Sequence, residues 1–343
     1  MKAVKLIGPE DVRVDDVAEP ELADPGDAIV RVKATAICGA DLFPYHGMTP
    51  GFESGTVLGH EFVGVVETVG VDVRGIEAGQ RVVNTSMISD GTCAHCRAGR
   101  VTQCESRAMF GYSGVYPRLE GGQAELVRVP NADRSLFVIP DGISDDDAVF
   151  VADILPTGFA GVRRGGVGVG DVVVVLGAGP VGLMAVLSAR GTARELIAVD
   201  GVAERRALAE KLGAHAVTPG EAAAAVAAAS AGMGADVVIE AAGALPALDA
   251  SLELVRPQGT VSVIGAHFEP DYPLNNLLMF EKEITMRFTI GDPTRDRERL
   301  LATIQAGAMK PSEVITHRLP LAEAADAYRL FDKREATKVV LEP

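Results

Sequence analysis

The chain has 343 residues and a formal net charge of −15, with 48% of its residues hydrophobic and 23% charged. This length exceeds the size at which one hydrophobic core usually stops growing, so two domains are expected. The acidic balance argues against nucleic acid and membrane surfaces as partners, because phosphate binding needs clustered Lys and Arg. No apolar run reaches transmembrane length and the charged N-terminus does not resemble a signal peptide, which predicts a cytoplasmic protein.

The first half of the chain predicts a mainly antiparallel β domain. Its short β-branched runs are separated by Gly and Pro, as is typical of strands joined by turns. Residues 1–15 are expected to form one charged strand. Further strands are predicted at Ala28–Lys33, Glu61–Val69, Arg81–Asn84 and Ala124–Val129.

From about residue 156, strands and helices alternate, which predicts a parallel sheet covered by helices. The strands are expected at Asp171–Leu176, Leu196–Val199, Asp236–Glu240 and Thr260–Gly265. The helices are expected at Pro180–Arg190, Ala203–Leu212 and, in an alanine-rich stretch, Glu221–Ala231. The alternation stops near residue 293, and Thr337–Leu341 is expected to return as a strand to the first domain.

A glycine-rich segment follows the first strand of this alternating region. Gly177, Gly179 and Gly182 match the pattern G-x-G-x-x-G, with Pro180 and Val181 between the second and third glycines. The first glycine permits a tight turn, the second lets the backbone approach a pyrophosphate, and the third allows close helix packing. Since the pattern lies between a predicted strand and a predicted helix, it predicts a dinucleotide-binding site.

Asp200 ends the next predicted strand, about 20 residues further on, where a carboxylate can bind the adenosine ribose hydroxyls. The same carboxylate would repel a 2′-phosphate, so NAD is favoured over NADP. Arg205 follows one turn later. It is either a contact to the adenosine end of the cofactor or an ordinary solvent-facing arginine.

Three of the four cysteines, Cys93, Cys96 and Cys104, lie close together in the sequence. In a reducing compartment such a cluster is more often metal-bound than disulfide-bonded. With Asp90 as the fourth ligand, the cluster would close a tetrahedral zinc site of the structural type. His95 is the local alternative to Asp90.

Cys38, His60 and Asp153 predict a second zinc site with one open coordination position, as in catalytic zinc sites. There a zinc ion would polarise a substrate oxygen, while hydride passes to or from the nicotinamide. Asp41 is expected to orient a ligand. Glu61, next to His60, is expected to lie behind the zinc and to adjust its coordination.

Six motifs carry a family resemblance over essentially the whole chain. They are ICGADLFPY around Cys38, LGHEFVGVVETVG around His60, ISDGTCAHCRAGRVTQC, GGQAELVRVP, VADILPTGF around Asp153, and VVVVLGAGPVGLMA. With them the chain resembles the medium-chain dehydrogenase/reductase superfamily, specifically its zinc-dependent alcohol dehydrogenases. The first, third and fifth motifs most resemble the formaldehyde-dehydrogenase-like branch, in which aspartate commonly occupies the third ligand position.

The resemblance implies an α/β protein with two domains and a cleft between them. Residues 1–155 and 294–343 would form a GroES-like catalytic domain, and residues 156–293 a Rossmann NAD-binding domain with a doubly wound parallel sheet. The resemblance also implies nicotinamide-side contacts from Thr157 and Val181 and a pyrophosphate contact from Lys338. A homo-oligomer is implied as well, with a tetramer favoured and a dimer possible.

The chain departs from the family pattern in three places. Asp90 replaces the first cysteine of the structural zinc site. Ala40 and Phe43 stand where a Ser or Thr and a histidine usually pass the alcohol proton, and neither side chain can do so. The remaining candidates for proton transfer are His46, Tyr45 and water.

Three functions are consistent with this sequence. The first is a zinc- and NAD-dependent oxidoreductase for an alcohol or its carbonyl partner. The second is a conjugate reductase of an enal or enone, which needs no proton delivery to oxygen. The third is a non-catalytic NAD-binding protein, although the complete ligand set argues against it. The substrate itself is not predicted, because its pocket is expected to come from the loops Phe43–Phe52 and Phe110–Leu119.

Overall fold

The computed structural model describes residues 1–267, 269 and 271–343. The chain divides into two compact units, one of Met1–Pro156 with Asp292–Pro343 and the other of Thr157–Gly291. None of the helices in the described ranges is long and apolar enough to span a bilayer.

The strands are numbered in chain order. They are β1 Lys2–Gly8, β2 Asp11–Asp16, β3 Ala28–Ala36, β4 Thr56–Val57, β5 Glu61–Val69, β6 Arg81–Asn84, β7 Met87–Ile88, β8 Ala108–Met109, β9 Leu126–Val129, β10 Leu136–Val138, β11 Val172–Leu176, β12 Glu195–Val199, β13 His215–Val217, β14 Ala235–Glu240, β15 Val255–Val263, β16 Thr285–Phe288, β17 His317–Pro320 and β18 Val339–Glu342.

The α-helices are numbered in the same way. They are α1 Leu42–Tyr45, α2 Ala94–Arg97, α3 Ala132–Ser135, α4 Asp145–Ala148, α5 Ile154–Gly165, α6 Pro180–Ala189, α7 Ala203–Lys211, α8 Ala222–Ser230, α9 Leu245–Leu254, α10 Asn276–Lys282, α11 Pro293–Gln305 and α12 Ala324–Asp332.

The first unit is built on antiparallel strands, as predicted. A three-stranded sheet has the order β2-β1-β4, and a seven-stranded sheet has the order β10-β6-β5-β3-β18-β17 with β9 also paired to β3. Apolar side chains of these strands, such as Val30, Val32 and Phe62, are buried together in one core. β18 pairs with β3 through Val340 and Ala36, which confirms that the last strand returns to the first domain.

The second unit contains a six-stranded sheet in the order β13-β12-β11-β14-β15-β16, with every neighbouring pair parallel. All five residues of β11 are buried, as expected of a central strand covered by helices on both faces. Strand order reverses at β11, which makes this a doubly wound Rossmann sheet. In such sheets the carboxyl ends of the strands at the reversal form the ligand-binding edge.

Two predicted strands differ most in extent from the observed ones. Residues 1–15 form the hairpin β1–β2, not one strand, because Glu10 adopts a φ of 59° and turns the chain. The strand predicted at Thr260–Gly265 begins earlier, at Val255, and ends at Val263. Its pairing with β14 shifts register between Ala235 and Val237, and this irregularity hides the early start from the sequence pattern.

Candidate functional site

The structure brings Cys38, His60, Glu61 and Asp153 together, with one ligand atom of each within 4.8 Å of all the others. Their positions come from three separate parts of the first unit. Cys38 follows β3, His60 and Glu61 lie at the start of β5, and Asp153 precedes α5. The His60 Nε2 atom lies 3.4 Å from Oδ2 of Asp153, and the Cys38 Sγ atom lies 3.8 Å from the same oxygen.

The electrostatics of this cluster favour a divalent cation. Burial and the nearby Glu61 raise the pKa of the Cys38 thiol to about 11. Burial by itself lowers the pKa of His60, but Asp41 and Cys38 outweigh it, so the pKa lies well above its ordinary value. Acidic groups that draw a proton onto a buried imidazole also attract a metal ion, which then displaces protons from its ligands. The donor set therefore fits zinc.

The surrounding residues orient the ligands. Asp41 is almost fully buried; its Oδ1 lies 3.1 Å from Nδ1 of His60, and its Oδ2 accepts the Cys38 backbone N–H at 3.0 Å. This contact leaves the His60 Nε2 atom to face the other ligands, as in carboxylate–histidine–zinc arrangements. Ser86 Oγ donates to Oδ1 of Asp153 at 3.2 Å.

Lys338 forms a buried ion pair with Glu61, and sequence reasoning did not anticipate it. Both side chains are fully buried, and the Lys338 Nζ atom also donates to the Ile37 carbonyl at 3.0 Å. The pair balances one of the negative charges next to the ligand set. No local pattern signals it, because the two residues are 277 positions apart.

The second predicted metal set, Asp90, Cys93, Cys96 and Cys104, is also brought together. The backbone N–H groups of Cys93 and Thr92 donate to the Asp90 carboxylate and hold its pKa well below the ordinary value. The Cys104 Sγ atom lies 3.2 Å from Oδ2 of Asp90. Three sulfurs and one carboxylate that converge in this way fit a closed zinc site. His95 is outside the set, and its Nδ1 accepts from Arg100 at 3.4 Å.

The glycine-rich segment forms the turn between β11 and α6. Gly177 has a φ of 90°, and a Cβ at Gly182 would lie 1.8 Å from the Gly177 carbonyl oxygen. Gly179 differs, because a Cβ there would meet only the Arg205 Nη1 atom at 3.7 Å. The backbone at Gly179 is therefore open, as an approaching pyrophosphate requires. Pro180 begins α6, and Val181 lies in its first turn.

Asp200 is tied to this turn. Its Oδ2 accepts the backbone N–H of Ala178 at 2.8 Å, and its Oδ1 accepts that of Val202 at 2.8 Å. The carboxylate therefore lies between the glycine-rich turn and the start of α7. Thr157 lies elsewhere in the same unit and packs against Gly291, where a Cβ would be 2.2 Å from the Thr157 Oγ1 atom.

The alternative proton-transfer residues are held by other groups. The His46 Nε2 atom lies 2.7 Å from Oδ1 of Asp332, and its Nδ1 lies 3.7 Å from Oε1 of Glu10. Tyr45 is buried and stacks on Tyr328 at 5.6 Å between ring centroids. Neither contact includes Cys38, His60, Glu61 or Asp153.

Tyr112 is a residue of the site that sequence reasoning missed. Its ring lies 6.3 Å from the His60 ring and 6.3 Å from both Phe52 and Tyr116, by centroids. Its hydroxyl donates to the Ala40 carbonyl. The loops Phe43–Phe52 and Phe110–Leu119 thus place one aromatic ring, that of Tyr112, next to His60, and two further rings against Tyr112.

A GroES-like β unit, a Rossmann unit and two convergent metal-ligand sets define a zinc-dependent dehydrogenase. Comparison with known proteins agrees. Residues 24–141 match the model of the alcohol dehydrogenase GroES-like domain, and residues 180–306 match that of the zinc-binding dehydrogenases. The chain belongs to the zinc-dependent alcohol dehydrogenase family of medium-chain dehydrogenases/reductases, and it is a zinc-dependent oxidoreductase.

The relatives are similar over nearly the full chain. A zinc-type alcohol dehydrogenase B of Aspergillus flavus is 33% identical, over 99% of this chain and 81% of the relative. The structure of an alcohol dehydrogenase from Thermus sp. is 39% identical with a TM-score of 0.94, covering 100% of this chain and 99% of that one. Among similar structures, one from Sinorhizobium meliloti is bound to NADP (32% identical) and one from Escherichia coli to NADH (27% identical).

Proposed function

We propose that this oxidoreductase interconverts an alcohol and its carbonyl partner with NAD(H), and that Cys38, His60 and Asp153 hold the catalytic zinc. The observation that carries the proposal is the convergence of thiol, imidazole and carboxylate within 4.8 Å. When bound, zinc supplies Lewis-acid polarisation of a substrate oxygen. Asp153 is the most accessible of the three ligands, with 20% of its side chain exposed, so substrate access is expected on its side.

The other residues prepare this site. Asp41 fixes the imidazole so that Nε2 faces the ligand set, and Lys338 supplies a buried counter-charge to Glu61 next to it. The aromatic ring of Tyr112 excludes water beside His60 and favours substrates with an apolar substituent.

The test compares the two metal sets. Cys38→Ser is expected to remove one zinc and abolish turnover while leaving the melting temperature nearly unchanged. Cys96→Ser is expected to remove the other zinc, which we assign to the Asp90 set as a structural ion, and to lower thermal stability. Elemental analysis of the native protein should give about two zincs per chain. A single zinc, or a Cys38→Ser variant with full activity, would overturn the assignment.

We assign NAD preference to Asp200. Its carboxylate lies at the glycine-rich turn, where it would pair with ribose hydroxyls and repel a 2′-phosphate. Related structures hold either NADH or NADP, so the preference must come from this chain's own residues. Asp200→Ala is expected to weaken NAD binding and to reduce the difference in affinity between NAD and NADP. Native preference for NADPH would contradict the assignment and direct attention to Arg205.

Remaining cofactor contacts are assigned to Thr157, Val181 and Arg205. The Arg205 guanidinium lies next to Gly179. From there it can contact the pyrophosphate or the adenosine ribose of the cofactor. Lys338 is also proposed as a pyrophosphate contact. To make it, the Lys338 ammonium would have to leave its buried ion pair with Glu61.

Conjugate reduction is the second candidate. It is favoured by one observation: Ala40 and Phe43 offer no proton-transfer group, while His46 and Tyr45 contact other residues. Reduction of an enone with NADH places the hydride on the β-carbon and a proton on the α-carbon, so the oxygen itself needs no proton.

We also propose a cytoplasmic homo-oligomer. All four cysteines are free and lie in the two metal sets, which suits a reducing compartment. For the oligomer, the outer edge of β16 is unpaired in the described part of the chain. Exposed apolar side chains lie on β16, just after it and on the preceding helix α10. Leu277, Phe280, Phe288 and Ile290 are each at least 60% exposed. A second copy pairing with this edge would cover Phe288 and complete the backbone hydrogen bonds of β16.

A further inference from the structure

A buried glutamate–histidine pair lies at the ligand-binding edge of the Rossmann sheet. Glu240 is the last residue of β14 and is fully buried. The Nε2 atom of His267, which follows β15, lies 2.9 Å from Oε2 of Glu240. Sequence analysis assigned no role to either residue, and the proposed zinc chemistry uses neither.

Glu240 connects the carboxyl ends of neighbouring strands. Its Oε1 accepts the backbone N–H groups of Ala242 and Gly243 at 2.9 and 2.8 Å. Its backbone carbonyl accepts those of Ile264 and Gly265 at 2.8 and 2.9 Å. The segment after β14 and the segment after β15 are therefore fastened to one residue, and His267 extends the connection.

The segment after β14 also touches the glycine-rich turn. A Cβ at Gly177 would lie 2.9 Å from the backbone and the side chain of Ala242, so the two segments pack without space between them. A change in the position of Ala242 would be transmitted directly to the turn. The pair thus lies one contact away from the proposed cofactor site.

The hydrogen-bond roles of His267 follow from its partner. A carboxylate only accepts, so the Nε2 atom of His267 carries the proton that Glu240 binds. In the neutral imidazole Nδ1 is then an acceptor; it is buried without a hydrogen-bond partner among the described residues, and Oε2 of Glu269 is 3.9 Å away. Buried polar atoms usually have a partner, so this atom is available to a ligand group or to a water.

In a doubly wound sheet each half binds one mononucleotide of the dinucleotide. β11, β12 and β13 carry the glycine-rich turn and Asp200, so they form the adenosine half. β14, β15 and β16 form the other half, which corresponds to the nicotinamide mononucleotide. Glu240 and His267 lie in that second half.

We propose that His267, oriented by Glu240, is a positioning residue for the nicotinamide half of the cofactor. It fixes the segments that follow β14 and β15, and so shapes the part of the edge that receives the nicotinamide ribose and ring. This inference rests on the proposed use of NAD, but it concerns only which half of the dinucleotide these residues serve.

The test compares the affinity of the purified holoenzyme for NAD, ADP-ribose and AMP by calorimetry. His267→Ala is expected to weaken NAD binding about tenfold and to leave AMP binding unchanged. ADP-ribose contains the second ribose of NAD but lacks the nicotinamide ring. If affinity falls for both ADP-ribose and NAD, the effect is assigned to the ribose. If affinity falls for NAD alone, the effect is assigned to the ring. His267→Gln, whose amide can still donate to Glu240, is expected to recover most of the affinity.

His215 supplies the matched control, because it is an exposed histidine on β13 in the same unit. His215→Ala should leave all three affinities unchanged. The proposal fails if His267→Ala leaves NAD binding intact, or if it weakens NAD and AMP equally together with a lower melting temperature. Failure of the underlying NAD assignment looks different, because the native enzyme would then bind NAD no better than AMP.

Discussion

Asp41 contacts two of the proposed zinc ligands, so its charge and its geometry both matter. Asp41→Asn keeps the shape of the side chain but weakens the contact to His60 and the charge at the site. Changes of this kind next to zinc ligands typically cost about 10–100-fold in metal affinity or activity. We expect a loss of kcat/KM of that size for alcohol oxidation, with a matching loss of zinc affinity in chelator competition.

Asp27→Asn is the matched control for this prediction. Asp27 is also a buried aspartate of the first unit, but it binds Arg128 and the backbone N–H groups of Ala23 and Asp24. Its replacement should lower stability without changing zinc affinity. Equal zinc affinity in native protein and Asp41→Asn would contradict the orienting role.

Ala40 removes the first group of the usual proton path, and the prediction here concerns how the alcohol proton leaves. General acid–base assistance is typically worth about 10²–10⁴-fold in rate. If no substitute exists, Ala40→Ser should recover part of that factor, measured as kcat for alcohol oxidation. If His46 serves as the substitute, Ala40→Ser should change little and His46→Ala should slow oxidation.

Turnover of an enone decides between the two candidate reactions. If neither Ala40→Ser nor His46→Ala alters alcohol turnover while an enone is reduced readily, conjugate reduction replaces alcohol oxidation as the assigned reaction. Zinc content should be equal in all three proteins, because neither residue belongs to the ligand set.

Among the secondary-structure elements, the turn between β11 and α6 offers a matched pair of glycines. A Cβ at Gly182 collides with the Gly177 carbonyl, whereas a Cβ at Gly179 meets only Arg205 at ordinary contact distance. Gly182→Ala should therefore lower the melting temperature. Gly179→Ala should leave it nearly unchanged but weaken NAD binding by about tenfold or more, because the added methyl occupies the pyrophosphate position. Equal effects on stability would disprove the different roles.

Asp236 at the start of β14 links three strands, and it makes stability depend on pH. Burial alone raises the pKa of this carboxyl, but hydrogen bonds from Arg256 and from the Val172 N–H outweigh it, so the net pKa is lowered. A lowered pKa means that the unfolded state binds more protons. The stabilisation is therefore fully present above the unfolded pKa of about 3.9 and is lost as pH falls through the folded pKa.

Urea unfolding of Asp236→Asn checks this sign. The difference in free energy of unfolding between native protein and variant should be largest near pH 7 and should shrink below about pH 4. Glu210→Gln, a change at an exposed carboxylate on α7, should show no such dependence. A difference that stays constant with pH would assign the effect to shape and not to charge.

Sequence patterns predicted the elements that depend on local regularity. Arg81–Asn84 and Glu61–Val69 have the predicted bounds, because apolar runs between turn residues define them. The β1–β2 hairpin was missed although Gly8 and Pro9 are turn residues. The residue that takes the positive φ is Glu10 and not a glycine. Helix α8 could be predicted from its alanine content alone, because alanine has the highest helix propensity.

At the scale of the whole molecule, the sequence predicted both ligand sets because cysteine spacing and family motifs carry them. It did not reveal the contacts between distant segments, such as Lys338 with Glu61, Tyr112 with His60, and His267 with Glu240. Each contact joins common residue types that are far apart in the sequence, so no helix or strand periodicity relates them. The branch of the family stays a prediction, because the similar proteins identify the zinc-dependent alcohol dehydrogenases as a whole.

The last prediction concerns assembly through the edge strand β16. Phe288 is 62% exposed at an edge that no other described strand pairs with, and a charge there would be buried without a partner if two copies pair. We expect native protein to be a dimer or tetramer by size-exclusion chromatography with light scattering, and Phe288→Asp to shift it to a smaller species. Val169→Asp is the control, because Val169 is 92% exposed in the same unit but lies far along the chain from β16. A native monomer, or an unchanged mass for Phe288→Asp, would place any interface elsewhere on the molecule.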